Sequence, residues 1–170
     1  MPDNINTIAR VVVVATLILA AIVWYFLYAW RLRGSVRHPL HGFRVTIPDG
    51  WRGRFRWDYI EFKPPGQRWP NMEVELVGFV RDGSIDRTKE FIQYHVQKWR
   101  ATILGERQIT VEGLPAVEVS YRHPEDFGGK EFCRVSVIRD NIEYLIQIST
   151  ESLAHDRALF DGCVQSFRFC

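Results

Sequence analysis

Cysteine is scarce in this chain of 170 residues: three in all, Cys133, Cys163 and Cys170, an odd number without regular spacing. That excludes a disulfide-stapled miniprotein. A charge of one sign is also missing, because the formal net charge is only +2. It is unevenly placed. Residues 1–37 hold Arg10, Arg31, Arg33 and Arg37 against Asp3, a balance of +3, and residues 38–170 total −1. The larger portion thus has no basic excess with which to neutralise phosphates, which argues against a nucleic-acid binder. No Gly-x-Ser-x-Gly elbow, phosphate loop, dinucleotide fingerprint or Cys-x-x-Cys pair occurs, and there is no internal repeat or low-complexity run. An enzyme needs a convergent acid, base or nucleophile set. None can be assembled here, so the chain reads as non-catalytic, with no cofactor and no metal.

What the chain does have is an uncharged run from Val11 to Trp30. As a helix it would span roughly 30 Å, the hydrocarbon thickness of a bilayer. Its second half carries Trp24, Tyr25, Tyr28 and Trp30, followed by Arg31 and Arg33, the side chains a headgroup layer favours at a helix end. The exit Tyr28-Ala29-Trp30 is not small-x-small, and no cysteine precedes Cys133, so neither a cleaved signal peptide nor a lipoprotein anchor fits. The expectation is a short tail (1–10), a retained single-pass transmembrane helix (11–30) in the cell inner (plasma) membrane, a basic linker (31–41) and an extrinsic domain (42–170). Arg31, Arg33 and Arg37 put that domain in the cytoplasm by the positive-inside rule, with the periplasm as the alternative because large domains translocate regardless of charge. Thr16 and Ala20 form a small-xxx-small pair that permits close helix approach.

After the linker, Phe43–Ile47 alternates and stops at Pro48-Asp49-Gly50, a strand closed by a turn. A second strand is expected over Arg54–Phe62 and a third over Met72–Val80, with a loop at Pro64–Pro70 between them. Phe91, Ile92, Val96, Trp99 and Ile103 mark one face of a helix running from Arg87 to about Ile103. Strands follow at Arg107–Val111, Val117–Tyr121, Phe132–Arg139 and Ile142–Ser149, the last two joined by Asp140-Asn141, which tolerates the positive φ of a tight hairpin. A helix over Leu153–Val164 and a strand over Ser166–Phe169 end the chain. The fold class is α+β, an antiparallel sheet of about six to eight strands covered by helices.

Candidate sites are few. His38 and His41 flank a proline in an extended segment and lack the helical i, i+4 presentation of a metal pair. Glu151 and His155 are four apart in the final helix with Asp156 adjacent, but without a third ligand elsewhere they read as an ordinary solvated helix face. His95 sits beside an apolar stripe as a packing histidine, and Cys133 reads as a buried small hydrophobe. Cys163 and Cys170 flank the last strand, where a disulfide is one alternative. The stronger signal is a docking strip. Arg52, Arg54 and Arg56 project to one side of an extended segment and Phe55, Trp57 and Tyr59 to the other, with Lys63, Arg68 and Trp69 close after. Arg and Trp are the residues interfaces favour. Arg52, Arg54, Arg56, Trp57 and Trp69 are therefore the candidate contacts to acidic lipid headgroups or to a partner, against the plainer reading of a solvated sheet face.

Three stretches carry a resemblance: Gly42-Phe43-Arg44-Val45-Thr46-Ile47-Pro48-Asp49-Gly50-Trp51; Glu112-Gly113-Leu114-Pro115-Ala116; and Tyr144-Leu145-Ile146-Gln147-Ile148 followed by Phe160 and Ser166-Phe167-Arg168-Phe169. In order and spacing they resemble the PsbP-like family, that of the photosystem II extrinsic protein P, over roughly residues 40–170. The resemblance implies an antiparallel sheet sandwiched by helices and a non-catalytic accessory protein that stabilises a larger assembly. The chain differs from the plant proteins in its expected uncleaved anchor and in lacking recognisable metal-contacting residues. The expected function is a membrane-anchored accessory subunit of an integral membrane protein complex, photosynthetic or respiratory. The alternative is a free-standing, membrane-tethered ligand-binding or signalling module with a pocket under the Pro64–Pro70 loop.

Overall fold

The structure, a computed structural model, describes residues 2–29, 34–38, 40–67, 70–80 and 84–170. A helix, α1 (Pro2–Ala29), precedes β1 (Ser35–Arg37), β2 (Phe43–Thr46), β3 (Arg52–Phe55), β4 (Tyr59–Lys63) and β5 (Asn71–Phe79). Then come α2 (Ile85–Lys98), β6 (Thr102–Val111), β7 (Leu114–Arg122), β8 (Glu131–Arg139), β9 (Ile142–Thr150), α3 (Leu153–Ser166) and β10 (Arg168–Phe169). Seven strands form an antiparallel sheet in the order β3-β4-β5-β9-β8-β7-β6, and β1-β2-β10 form a small second one.

Period-2 alternation decides what the large sheet buries on each face. Cys133, Val135 and Val137 of β8, Ile146 and Ile148 of β9, Met72 and Val74 of β5, and Ile60 and Phe62 of β4 are all fully buried on the inner face. The small sheet and α3 close over them with Phe43, Val45, Phe160, Cys163 and Phe167. On the outer face, Ile92 and Val96 of α2 pack on Val117, Val119 and Tyr121 of β7. The large sheet therefore lies between helices. Ion pairs fasten its far edge: Glu118 of β7 accepts two hydrogen bonds from Arg107 of β6, both at 2.9 Å, and two from Arg157 of α3, at 2.9 and 2.7 Å.

The turns follow residue chemistry. Asp140 and Asn141 adopt φ of 53° and 62°, the two left-handed positions of a type I′ hairpin, between β8 and β9. The α2 helix stops earlier than its apolar period suggests, at Lys98 rather than Ile103. Arg100 takes φ 54°, its N–H donates to the Gln97 carbonyl at 3.0 Å, and the Ala101 N–H donates to the Val96 carbonyl at 2.9 Å. That is a Schellman stop made by a non-glycine residue. Ile103, Leu104 and Gly105 consequently belong to β6. Two further departures occur nearer the start. The segment expected as one strand over Arg54–Phe62 folds back as the β3–β4 hairpin, and Ser35–Arg37 of the expected linker pairs with β2 as β1.

The expected transmembrane helix is overturned. Among the described residues no helix is long and apolar enough to cross a membrane. The described side chains of the uncharged run are exposed from Val11 to Val23. Trp30, Arg31 and Arg33 of the expected membrane interface lie outside the described residues, as do the side chains of Trp24, Tyr25 and Tyr28.

Candidate functional site

The β3–β4 hairpin gathers most of the sequence-predicted docking residues. Its register sets Arg52 opposite Lys63, Gly53 opposite Phe62, Arg54 opposite Glu61 and Phe55 opposite Ile60. Phe55, Ile60 and Phe62 go into the core at 5 % exposure or less, so Arg52, Arg54, Glu61 and Lys63 share the outer face. The Arg56 N–H donates to the Tyr59 carbonyl at 2.8 Å and closes the hairpin. Trp57 then sits in the turn with 78 % of its surface exposed. The alternation expected through Phe55, Trp57 and Tyr59 thus breaks at Trp57, which projects from the tip instead of sharing a face with Phe55. Trp69 lies outside the described residues.

The three arginines do different things. Arg54 Nε and Nη2 both donate to Glu61 Oε2 at 2.5 Å, and the Glu61 side chain is only 11 % exposed. Arg56 reaches the same carboxylate at 3.9 Å and Lys63 at 3.7 Å. Arg52 has no ion pair among the described residues. One largely buried carboxylate is therefore shared among three cations, with a fourth beside them. Sequence reasoning identified the arginines but not Glu61 as their hub, because the pairing exists only once the chain turns at Trp57-Asp58.

Beyond Lys63, Pro64-Pro65-Gly66-Gln67 makes a type II turn. Gly66 has φ 73°, and the Gln67 N–H donates to the Pro64 carbonyl at 3.4 Å. The turn separates two concavities. On one side Arg52, Arg54, Glu61 and Lys63 line a cleft of about 180 Å³. On the other, a wider groove of about 460 Å³ runs between the loop and the start of α3, lined by Trp51, Pro70, Glu151, His155 and Asp156 among others. In that groove Thr150 Oγ1 donates to Asp156, and Glu151 pairs with Lys130 Nζ at 2.6 Å.

The remaining candidates are structural. His38 is 1 % exposed, stacked on His41 at 4.3 Å and on Phe43 at 5.2 Å. Burial and then the neighbouring His41 push it down to about 4, so it is held neutral. His41 Nε2 meets the Trp57 carbonyl at 3.1 Å and ties this pair to the hairpin tip. The side chain of His95 lies outside the described residues. Cys133, Cys163 and Cys170 are all free, the first two buried and the third exposed. Among the described residues no group of three or more His, Cys, Asp or Glu is placed to hold a metal ion.

The architecture matches solved structures. The solution structure of cyanobacterial PsbP from Synechocystis sp. PCC 6803 superposes with a TM-score of 0.62 at 14 % identity, covering 84 % of this chain and 94 % of that one. The fold is PsbP-like. Two other structures share this PsbP-like architecture. A Pseudomonas aeruginosa protein of unknown function, PA94, described as a putative regulator, gives a TM-score of 0.57 at 15 % identity over 78 % of this chain and 95 % of its own. The Saccharomyces cerevisiae Ran-binding protein Mog1p gives 0.56 at 9 % identity over 82 % and 96 %. No family model matches the sequence, and no curated protein does.

Proposed function

We propose that this protein is a non-catalytic accessory protein that docks onto a larger protein assembly through the tip of the β3–β4 hairpin. The observation that carries this reading is Trp57, a large apolar ring 78 % exposed beside the exposed Arg56. Exposed Trp and Arg together are what interface hot spots are made of. The Ran-binding yeast protein of the same fold supports it, since that scaffold holds a protein partner. The surrounding cations select an acidic rim on the partner, because charge complementarity sets register and encounter rate. The partner is in this reading a membrane-protein complex, with the domain on its extrinsic surface.

The test is affinity capture of the full chain from mild detergent extract, comparing wild type with an Arg56→Gln/Trp57→Ala variant at low and high salt. A stoichiometric complex with the wild type that falls away in the variant, and weakens as salt rises, supports docking at the tip. Equal retention of both proteins overturns it. A second reading, a ligand-binding module, is favoured by the groove of about 460 Å³ under the 64–70 loop. It gains if a lone monomer with small-molecule affinity is recovered.

A further inference from the structure

Cross-strand neighbours in an antiparallel pair face the same side, and like charges directly opposite one another are destabilising. Arg52 and Lys63 are such a pair. Among the described residues the one carboxylate within reach, Glu61, offsets them only in part. Glu61 is already engaged by Arg54 at 2.5 Å, and Lys63 Nζ reaches it only at 3.7 Å. Glu73, opposite Glu61 on β5, takes its hydrogen bonds from Asn71 at 2.9 Å and from Gln147, and it does not line the cleft. Arg52, Arg54 and Lys63 thus line, against the single carboxylate of Glu61, a cleft of about 180 Å³ whose other wall is the Pro64-Pro65-Gly66 turn, an excess of two positive charges. That turn's own hydrogen bond uses the Gln67 N–H, and the Gly66 N–H has no backbone acceptor among the described residues.

We propose that this cleft binds a phosphate-class oxyanion. A dianion matches the cleft's excess of two positive charges, which a single carboxylate would not. A guanidinium fork beside an ammonium group is a phosphate-recognising combination, and phosphate carries about −1.5 to −2 at neutral pH. The group arrives either as free phosphate or as a phospholipid headgroup. The inference does not rest on the docking reading, since Arg56 and Trp57 do not line the cleft.

The experiment is thermal melting of the full chain in inorganic phosphate against chloride of equal ionic strength, for wild type, Arg52→Gln and Lys63→Gln. Phosphate should raise the wild-type melting temperature saturably, by roughly 5–10 °C at a hundredfold excess over Kd. Both variants should lose that response. In phosphate-free buffer Arg52→Gln should melt at or above the wild type, because it removes the like-charge pair; a variant that merely damages the fold would melt lower. Identical melting of the wild type in the two salts overturns the proposal, and so does a full phosphate response in both variants. A second arm uses flotation of vesicles containing phosphatidic acid. Vesicle binding that inorganic phosphate displaces assigns the headgroup as source. Vesicle binding indifferent to phosphate counts against the site.

Discussion

Arg54 and Arg56 are two residues apart and chemically identical, yet the structure separates them sharply. In Arg54→Gln, Glu61 loses both 2.5 Å contacts and keeps Arg56 at 3.9 Å and Lys63 at 3.7 Å. Hydrogen bonds to a charged group contribute about 1.5–3 kcal/mol. The full 3–5 kcal/mol of a broken buried pair does not apply, because two cations remain nearby and Arg54 itself is 39 % exposed. The expected loss is about 2 kcal/mol, which for a chain of this size lowers the melting temperature by roughly 4–8 °C. Arg56→Gln breaks only a contact at 3.9 Å made by a side chain 46 % exposed. Exposed pairs of that kind contribute under about 1 kcal/mol, so the melting temperature should fall by less than roughly 4 °C. Urea unfolding with matched m-values, beside scanning calorimetry, makes the comparison. Equal effects from the two substitutions would refute the assignment of Arg54 to the fold and Arg56 to the surface. So would a neutral Arg54→Gln.

Three further outcomes are expected. Glu118→Ala removes a 6 % exposed carboxylate that accepts four hydrogen bonds, but Asp161 stays beside Arg157 at 2.9 Å and Arg107 is 56 % exposed, so the loss in urea titrations should be about 1.5–3 kcal/mol. Burial pushes the Glu118 carboxyl up, but the hydrogen bonds from Arg157 and Arg107 outweigh it and leave it lowered. Its stabilisation is therefore present above the ordinary carboxylate range and lost as pH falls through the native value; Glu118→Gln should flatten that acid limb. His38 is pushed down to about 4 from 6.5 by burial and then by His41, with Asp58 opposing. Its contribution is present above the unfolded value and lost as pH falls toward the native one, so His38→Leu should remove part of the stability slope in that window. Burial pushes the thiols of Cys133 and Cys163 up to about 12, whereas Cys170 is exposed. A thiol reagent should label one cysteine in the native chain and all three after unfolding; rapid native labelling of Cys133 would contradict the packing around it.

Which parts of the fold could be read beforehand depended on whether a local signal matched a local cause. The β8–β9 hairpin was legible because Asp140-Asn141 supplies its turn and both strands alternate cleanly. The end of α2 was not. Trp99 and Ile103 continue the helical period, and the stop lies in the left-handed backbone of Arg100, a residue whose type gives no such warning. The turn between β3 and β4 also lacks glycine or an Asn-Gly pair, so the alternation through it looked like one strand. In β1, Val36 stands alone between exposed neighbours, too short a pattern to distinguish from a linker. The uncharged run of the first thirty residues was visible as composition, but composition alone did not make a membrane span.

The candidate site shows the same limit at the level of charges. The arginines were visible as residues; their partners depended on register, and register is set elsewhere. A one-residue slip of β3 against β4 would turn Phe55 out of the core and bring Arg54 against Ile60 or Phe62. Burying such a side chain contributes about 1.5–3 kcal/mol each, whereas a like-charge cross-strand pair costs roughly 0.2–1 kcal/mol. The apolar residues therefore win, and they place Arg52 opposite Lys63 whatever those two prefer. For Arg54 and Glu61 the imposed register is electrostatically favourable, so folding alone accounts for both residues. For Arg52 and Lys63 it is unfavourable, and a glutamate at position 52 would pair with Lys63 instead of opposing it. Packing explains where that pair sits but not why it is doubly basic. The proposed oxyanion would supply the counter-charge that the chain itself leaves out.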